Sequence, residues 1–461
     1  MVATSQAPAT LSGLQILRQG GNAVDAAIAA AAVLCVAEPM STGIGGDGFA
    51  LVFDGSQVHA LDAGGAAPAS ALSGAPEEFG PNSVVAPALV AGWAELSRRF
   101  GRLELDRCLL PAIELAERGV AAGYHCAYAW SRAARAPAEF GPVPRPGDVF
   151  HLPALAASLR QIAEQGPQVL YQGRLAEAIA SASWLELADL AAVRPRWVRP
   201  LVLNYRGVEV FEMPPPTQGV AALEGLGLLE TMGNPTPERL VHAVALALED
   251  ARSRVRDGAS VDDLLEGAYL ARRSRERPRP TKEPGGGTVY LCTLDADGMA
   301  VSLIQSLYAS FGSGVVANGT GIVLNNRAAC FSVGSGIEAG RRPYHTTIPG
   351  LLVEQGRLRG PFGVMGGFIQ AQAHIQLVSG LIDHDLDPQA ALDQARFRID
   401  GATVHLEEGL WSRAEAFAEA GLKVRLDDDR LNFGGGQAIQ VLEGRILGGS
   451  DARKDGFAAG L

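Results

Sequence analysis

The chain has 461 residues, 47% of them hydrophobic, enough to bury a large core, and no Ser/Pro-rich linker divides it. Its net charge is −11, and only Lys282, Lys423 and Lys454 among its 39 basic residues are lysines, a balance that argues against nucleic acid as the main partner. Five widely spaced cysteines without a CxxC pattern argue against a disulfide framework, and no metal or cofactor is expected.

In chain order, residues 8–19 carry helical spacing of apolar side chains and stop at Gly20-Gly21, a glycine C-cap signal. A second helix begins at about Asn22 and is Ala-rich enough to be buried. Its apolar run, 26–37, is too short to span a membrane and is bracketed by Asp25 and Glu38. The N-terminus lacks a basic region followed by an apolar core, so a cytoplasmic location is expected. Gly43 to Gly48 has the look of a phosphate loop, yet it lacks the lysine of one and leads into a strand, Phe49 to Phe53, rather than a helix. The reading preferred is a tight turn feeding a core strand.

Helical spacing returns over 105–119, 152–164 and 173–183, an outer helical layer, and Trp184 closes it without assigned chemistry. Residues 205–212 alternate as one strand, the Pro214 to Pro216 run makes a rigid corner, and a helix starts near Val220. The arginine-rich stretch from Arg252 to Pro280 lacks interleaved aromatics and reads as a solvated, mobile lead-in to the glycine run beyond it.

That run, Gly285-Gly286-Gly287, ends at Thr288, and two β-rich stretches come after it, separated by Asp297-Gly298, a hairpin signal. A four-residue loop, 295–298, would set 294 opposite 299 and 288 opposite 305, and bring the Ser306 hydroxyl beside the start of the first strand. Two readings are open on this stretch alone. One is a glycine-rich loop entering an ordinary hairpin. In the other, Thr288 attacks the Gly287 carbonyl, the chain cleaves itself, and the freed α-amine, with a pKa near 8, becomes the base for its own hydroxyl. Further on, 319–327 reads as a turn and buried strand. Gly366 and Gly367 offer two backbone N–H groups free of side chains, the type of donor that stabilises an oxyanion.

Several motifs stand in one order along the chain: Gly20-Gly21-Asn22-Ala23-Val24-Asp25-Ala26-Ala27, Gly43-Ile44-Gly45-Gly46-Asp47-Gly48-Phe49, Met213 to Gly219, Thr288 to Gly298 with Ala300 to Tyr308, Phe362 to Gly367, and Gly448 to Asp451. Together they resemble the γ-glutamyltransferase family of N-terminal nucleophile hydrolases. Asn326-Arg327 and Met365-Gly366-Gly367 with Gln370 and Gln372 resemble its acylase-like branch.

The resemblance implies a mixed α/β chain folded as a four-layer α-β-β-α sandwich. It implies self-cleavage between Gly287 and Thr288 into a large subunit, 1–287, and a small catalytic subunit, 288–461. Pairing of two such heterodimers is a further option. Thr288 would be the nucleophile, Ser306 would orient it, and Gly366 and Gly367 would hold the oxyanion.

The substrate wall departs from the γ-glutamyl pattern. Gly64 stands where relatives place an arginine that grips the substrate α-carboxylate, and Arg327 and Cys330 stand where they bind its α-amino group. Tyr308, His345 and Thr346 complete the wall, the last two at a position where γ-glutamyl enzymes have paired serines. Arg327 is read either as a partner for a substrate carboxylate or as a surface arginine. The expected activity is hydrolysis of a small acidic compound through an acyl-Thr288 intermediate. The alternatives are a biosynthetic C–C bond hydrolase like the homologues in pathways to 4-alkyl-dehydroproline units, or a non-catalytic binding paralogue.

Overall fold

The structure, a computed structural model, describes residues 1–71, 74–281, 286–334, 336–419 and 421–461. Gly285, the first glycine of the run before Thr288, lies outside them, as does Lys282.

The strand Gly287–Leu294 shows how the layers arise. Its side chains alternate: Val289 and Leu291 pack into an apolar cluster with the helix Ala23–Ala37, whereas Tyr290, Cys292 and Leu294 pack with Leu351, Val353 and Met365. A strand apolar at both parities is buried on both faces. Here one face meets helices and the other meets a second sheet.

Among the described residues the first sheet has seven strands in the spatial order Phe457–Ala459, Val2–Thr4, Gly287–Leu294, Ala300–Tyr308, Asp47–Phe53, Val58–Ala63, Arg196–Val198. The second has six: Arg445–Ser450, Gly435–Leu442, Arg357–Met365, Gly350–Glu354, Val208–Glu212, Leu201–Tyr205. Helices Gly219–Met232, Pro237–Arg254 and Ile369–Asp383 cover the outer face of the second sheet. The arrangement is the α-β-β-α sandwich.

All fifteen residues of Ala23–Ala37 are buried. Asn22 caps this helix by accepting from the Val24 and Asp25 N–H groups, and the Asp25 carboxylate accepts in turn from Asn22 N, so the buried N-terminus keeps its donors satisfied. Among the described residues no helix is long and apolar enough to cross a membrane.

Three local expectations change. The strand expected over 205–212 is two strands joined by a tight turn at Arg206-Gly207, both at positive φ (52° and 90°), the geometry a two-residue hairpin demands. The arginine-rich stretch is docked rather than free: Pro237–Arg254 continues into it, Gly267–Arg273 is helical, and the buried Arg273 binds Glu249, Asp250 and Glu276. Only Ile322–Val323 of the expected 319–327 strand is extended. Asn325 then turns its side chain to the Gly45 and Val85 carbonyls, and a 3-10 segment, Arg327–Val333, begins.

Candidate active site

The hairpin is longer at its loop than the sequence suggests. The Asp295 carboxylate accepts from Asp297 N and Met299 N, and Asp295 N donates to Met299 O, so the connection takes five residues. Leu294 therefore faces Ala300 rather than Met299, and Val289 rather than Thr288 faces Gln305. A bulge between Gln305 and Tyr308 then shifts the register by one more residue, leaving Tyr308 opposite Gly287 with φ of 80°.

The bulge delivers Ser306 to the peptide bond before Thr288. Ser306 Oγ donates to the Gly287 carbonyl oxygen at 2.7 Å, accepts from Tyr308 N at 2.8 Å, and lies 3.4 Å from Thr288 Oγ. Thr288 is 3% exposed. On its other side the Gln370 amide reaches Thr288 Oγ at 3.4 Å, and its carbonyl oxygen is fixed by Ile348 N at 3.1 Å. Gly46 explains the glycine-rich motif far upstream: a Cβ there would fall 2.3 Å from the Ser306 carbonyl oxygen. The loop is a close-packed wall behind the hairpin.

Gly366, with φ of 128°, and Gly367 follow directly on the strand Arg357–Met365 and precede the helix carrying Gln370. Gly366 also lines a cavity of about 360 Å³ shared with Gly286, Ser310, Gln372, Arg132 and Arg398.

The expected wall residues gather behind Ser306. Asp47 is its strand neighbour, and Arg327 closes a two-pronged pair on it, Nε at 2.9 Å and Nη2 at 3.0 Å, both residues fully buried. This corrects both readings of Arg327. It is no surface arginine, and its fork is occupied by Asp47 rather than open to a substrate carboxylate, because a buried guanidinium must be paired. Its remaining contacts are the Tyr308 ring at 5.0 Å and Cys330 Sγ at 4.0 Å. Burial pushes the Cys330 thiol up, so it stays protonated.

His345 lies against Phe49 and 3.6 Å from Asp47. Burial, with Arg327 nearby, holds its pKa well below the ordinary value, so the ring is neutral. Neither ring nitrogen has a hydrogen-bond partner among the described residues, nor do the buried Thr346 and Thr347 hydroxyls. A Cβ on Gly64 would sit 3.2 Å from His345 Nε2 and 3.1 Å from the Phe49 ring, so the histidine occupies the approach to that position.

Sequence reasoning assigned no role at the site to Asp47 or Gln370. Asp47 was visible only as part of a turn and Gln370 only as a branch marker. Neither carries a local signal for a neighbour found 280 residues away, as for Asp47, or 82 away, as for Gln370.

With this geometry in place, comparison with known proteins is direct. Residues 9–461 match the gamma-glutamyltranspeptidase family. The chain is 32% identical to the glutathione hydrolase-like YwrD proenzyme of Bacillus subtilis (strain 168), over 100% of this chain and 98% of that protein. It is 33% identical to the oxamate amidohydrolase proenzyme of Klebsiella pneumoniae subsp. pneumoniae, over 98% and 96%. The crystal structure of cephalosporin acylase from Bacillus halodurans superposes with a TM-score of 0.92 at 38% identity, covering 99% of this chain and 95% of that one.

Proposed function

Because the chain belongs to the gamma-glutamyltranspeptidase family of hydrolases and transferases, we propose that it cleaves itself before Thr288 and then hydrolyses a small acidic amide through an acyl-Thr288 intermediate. The observation that carries this reading is the triangle of Thr288 Oγ, Ser306 Oγ and the Gly287 carbonyl oxygen. A hydroxyl that donates to a carbonyl oxygen polarises it, and the neighbouring Thr288 hydroxyl is the attacking group within reach.

In processing, Thr288 Oγ bonds to the Gly287 carbonyl carbon, the C–N bond breaks, and the hydroxyl proton passes to the departing nitrogen. Water then hydrolyses the ester, leaving a carboxylate on Gly287 and a free α-amine on Thr288. The products are segments 1–287 and 288–461. In turnover that amine takes the Thr288 hydroxyl proton, the acyl group moves to Oγ, and the amine half of the substrate leaves with the proton. Backbone N–H groups of Gly366 and Gly367 hold the oxyanion, and Gln370 steadies Thr288 Oγ.

γ-Glutamyl compounds fit this wall poorly. Gly64 has no guanidinium to offer, and the positions that would meet an ammonium are Cys330 and an arginine already paired with Asp47. The unpartnered donors and acceptors of His345, Thr346 and Thr347 favour a short polar acyl group instead. That amide cleavage is named for two relatives, an oxamate amidohydrolase and a cephalosporin acylase, agrees with an acylase.

Intact-mass spectrometry tests the reading. Wild-type protein should appear as two fragments divided at Gly287-Thr288, and a panel of N-acyl amides should leave an acyl adduct on the smaller one. Thr288→Ala should be uncut and unlabelled. An uncut chain with full hydrolytic activity would remove the mechanism, and a processed chain that binds amides without ever being acylated would make it a binding paralogue.

A further inference from the structure

The cavity that reaches Gly366 is lined by two guanidinium groups, Arg132, just past the helix Tyr124–Ser131, and Arg398 in the strand Phe397–Asp400, and by one carboxylate, Asp429. Arg398 is the better held. Its neighbour Ile399 exchanges two bonds with Gln372, N to Oε1 at 2.8 Å and Nε2 to O at 3.1 Å. Gln372 lies on the same helix as Gln370, whose amide reaches Thr288. The backbone of Arg398 is thereby registered to the nucleophile through one helical turn.

The Arg398 side chain is 19% exposed, and its nearest carboxylates, Asp400 and Asp427, stand at 3.6 and 3.9 Å, beyond hydrogen-bond reach. Its buried Nε has no hydrogen-bond partner among the described residues. The two carboxylates pair with its charge but leave donors unused, and a buried donor is costly to keep without an acceptor. Arg327, the arginine on the acyl side, has no fork to spare.

We infer that Arg398 receives a carboxylate on the half of the substrate that departs from the acyl carbon. The substrate class is then an amide whose amine portion is itself anionic, such as an amino acid or aminobenzoate, and Arg398 sets that specificity. That this half departs rests on the acyl-Thr288 reading, whereas the anion site stands on its own geometry.

Binding separates the two. Mature wild-type, Arg398→Gln and Arg398→Lys proteins are titrated calorimetrically with 5-amino-2-nitrobenzoate and with 4-nitroaniline, which lacks the carboxylate. The benzoate should bind the wild type more tightly than 4-nitroaniline does, lose about tenfold or more in Arg398→Gln, and recover partly in Arg398→Lys, which keeps the charge without the fork. Affinity for 4-nitroaniline should stay constant across the three. Equal benzoate affinity in wild type and Arg398→Gln would overturn the proposal, as would a wild type that prefers neither compound. A loss produced by Arg132→Gln alone would overturn it in favour of the other arginine. If Arg398→Gln fails to mature, Arg398→Lys decides, since a fork-dependent site must weaken several-fold there and an unchanged affinity refutes it. Acyl-enzyme formation is read separately by mass. Its absence would refute the acyl-Thr288 reading while leaving the affinity comparison intact.

Discussion

Ser306 joins the peptide bond before Thr288 to the buried Asp47–Arg327 pair, since its Oγ touches Gly287 and its backbone runs beside Asp47. Ser306→Ala removes the donor that polarises the Gly287 carbonyl. Self-cleavage should slow by about 10²–10³-fold, the usual cost of one such donor, and the unfolding midpoint should fall as well, because the buried Tyr308 N–H loses its acceptor. A time course of intact mass measures it, and an unchanged rate would mean that Ser306 plays no part in processing. Arg327→Lys belongs to the same scale with a different readout. Lysine keeps the charge and loses the fork, leaving one Asp47 oxygen unpaired in a dry site. A loss of about 1.5–3 kcal/mol in denaturant unfolding is expected. If the midpoint is unmoved, the buried pair contributes no net stability.

Two elements carry predictions of their own. The Gly43 to Gly48 loop is glycine-rich because the hairpin lies directly on it. Gly46→Ala would force a Cβ to within 2.3 Å of the Ser306 carbonyl oxygen, so the strand Asp47–Phe53 must shift from its neighbour and processing should fail even though no reacting atom has changed. Normal cleavage of Gly46→Ala by mass would show that the loop can yield. The second element is the turn at Asp451, whose carboxylate accepts from Arg396 at 2.7 Å, Arg453 at 2.9 Å and Gly436 N at 3.0 Å. Burial alone would raise its pKa, but the two arginines outweigh it and the carboxyl titrates below its ordinary value. A depressed carboxylate contributes stability that is fully present above its unfolded pKa, about 3.9, and that is lost as pH falls through the lower folded value. Asp451→Asn should therefore cost about 3–5 kcal/mol at neutral pH, where the buried Arg396 guanidinium loses its counter-charge and Arg453 keeps only Glu407. The difference from wild type should shrink toward acid. A difference that stays constant down to the lowest measurable pH would rule out the titration of Asp451 as its source.

At the scale of the whole molecule, both sheets interleave strands from either side of Gly287. In the first, Val2–Thr4 lies between Phe457–Ala459 and Gly287–Leu294, and Ala300–Tyr308 pairs with Asp47–Phe53. In the second, Gly350–Glu354 pairs with Val208–Glu212. Breaking one peptide bond severs none of these ladders. The two fragments should co-elute on size-exclusion chromatography in native buffer and part only in denaturant. Fragments that separate without denaturant would contradict the interleaved topology.

What could be read from the amino-acid order alone is what depends on near neighbours. The Asp297-Gly298 turn, the two-residue alternation of the strands around it, the helix start near Asn22 and the glycines before Thr288 each act within a few positions, so a hydroxyl near Thr288 was legible, as was the mixed α/β class. The five-residue loop and the bulge escaped, because the Asp295 carboxylate selects among hairpin loops of similar cost and the bulge moves the register one residue further in the same direction, a shift that no local rule specifies. The partners of Arg327 and Thr288 escaped for a stronger reason. Asp47 and Gln370 reach them only because particular strands and one helix end become neighbours, and a buried charge takes whichever partner the packing of distant segments brings to it.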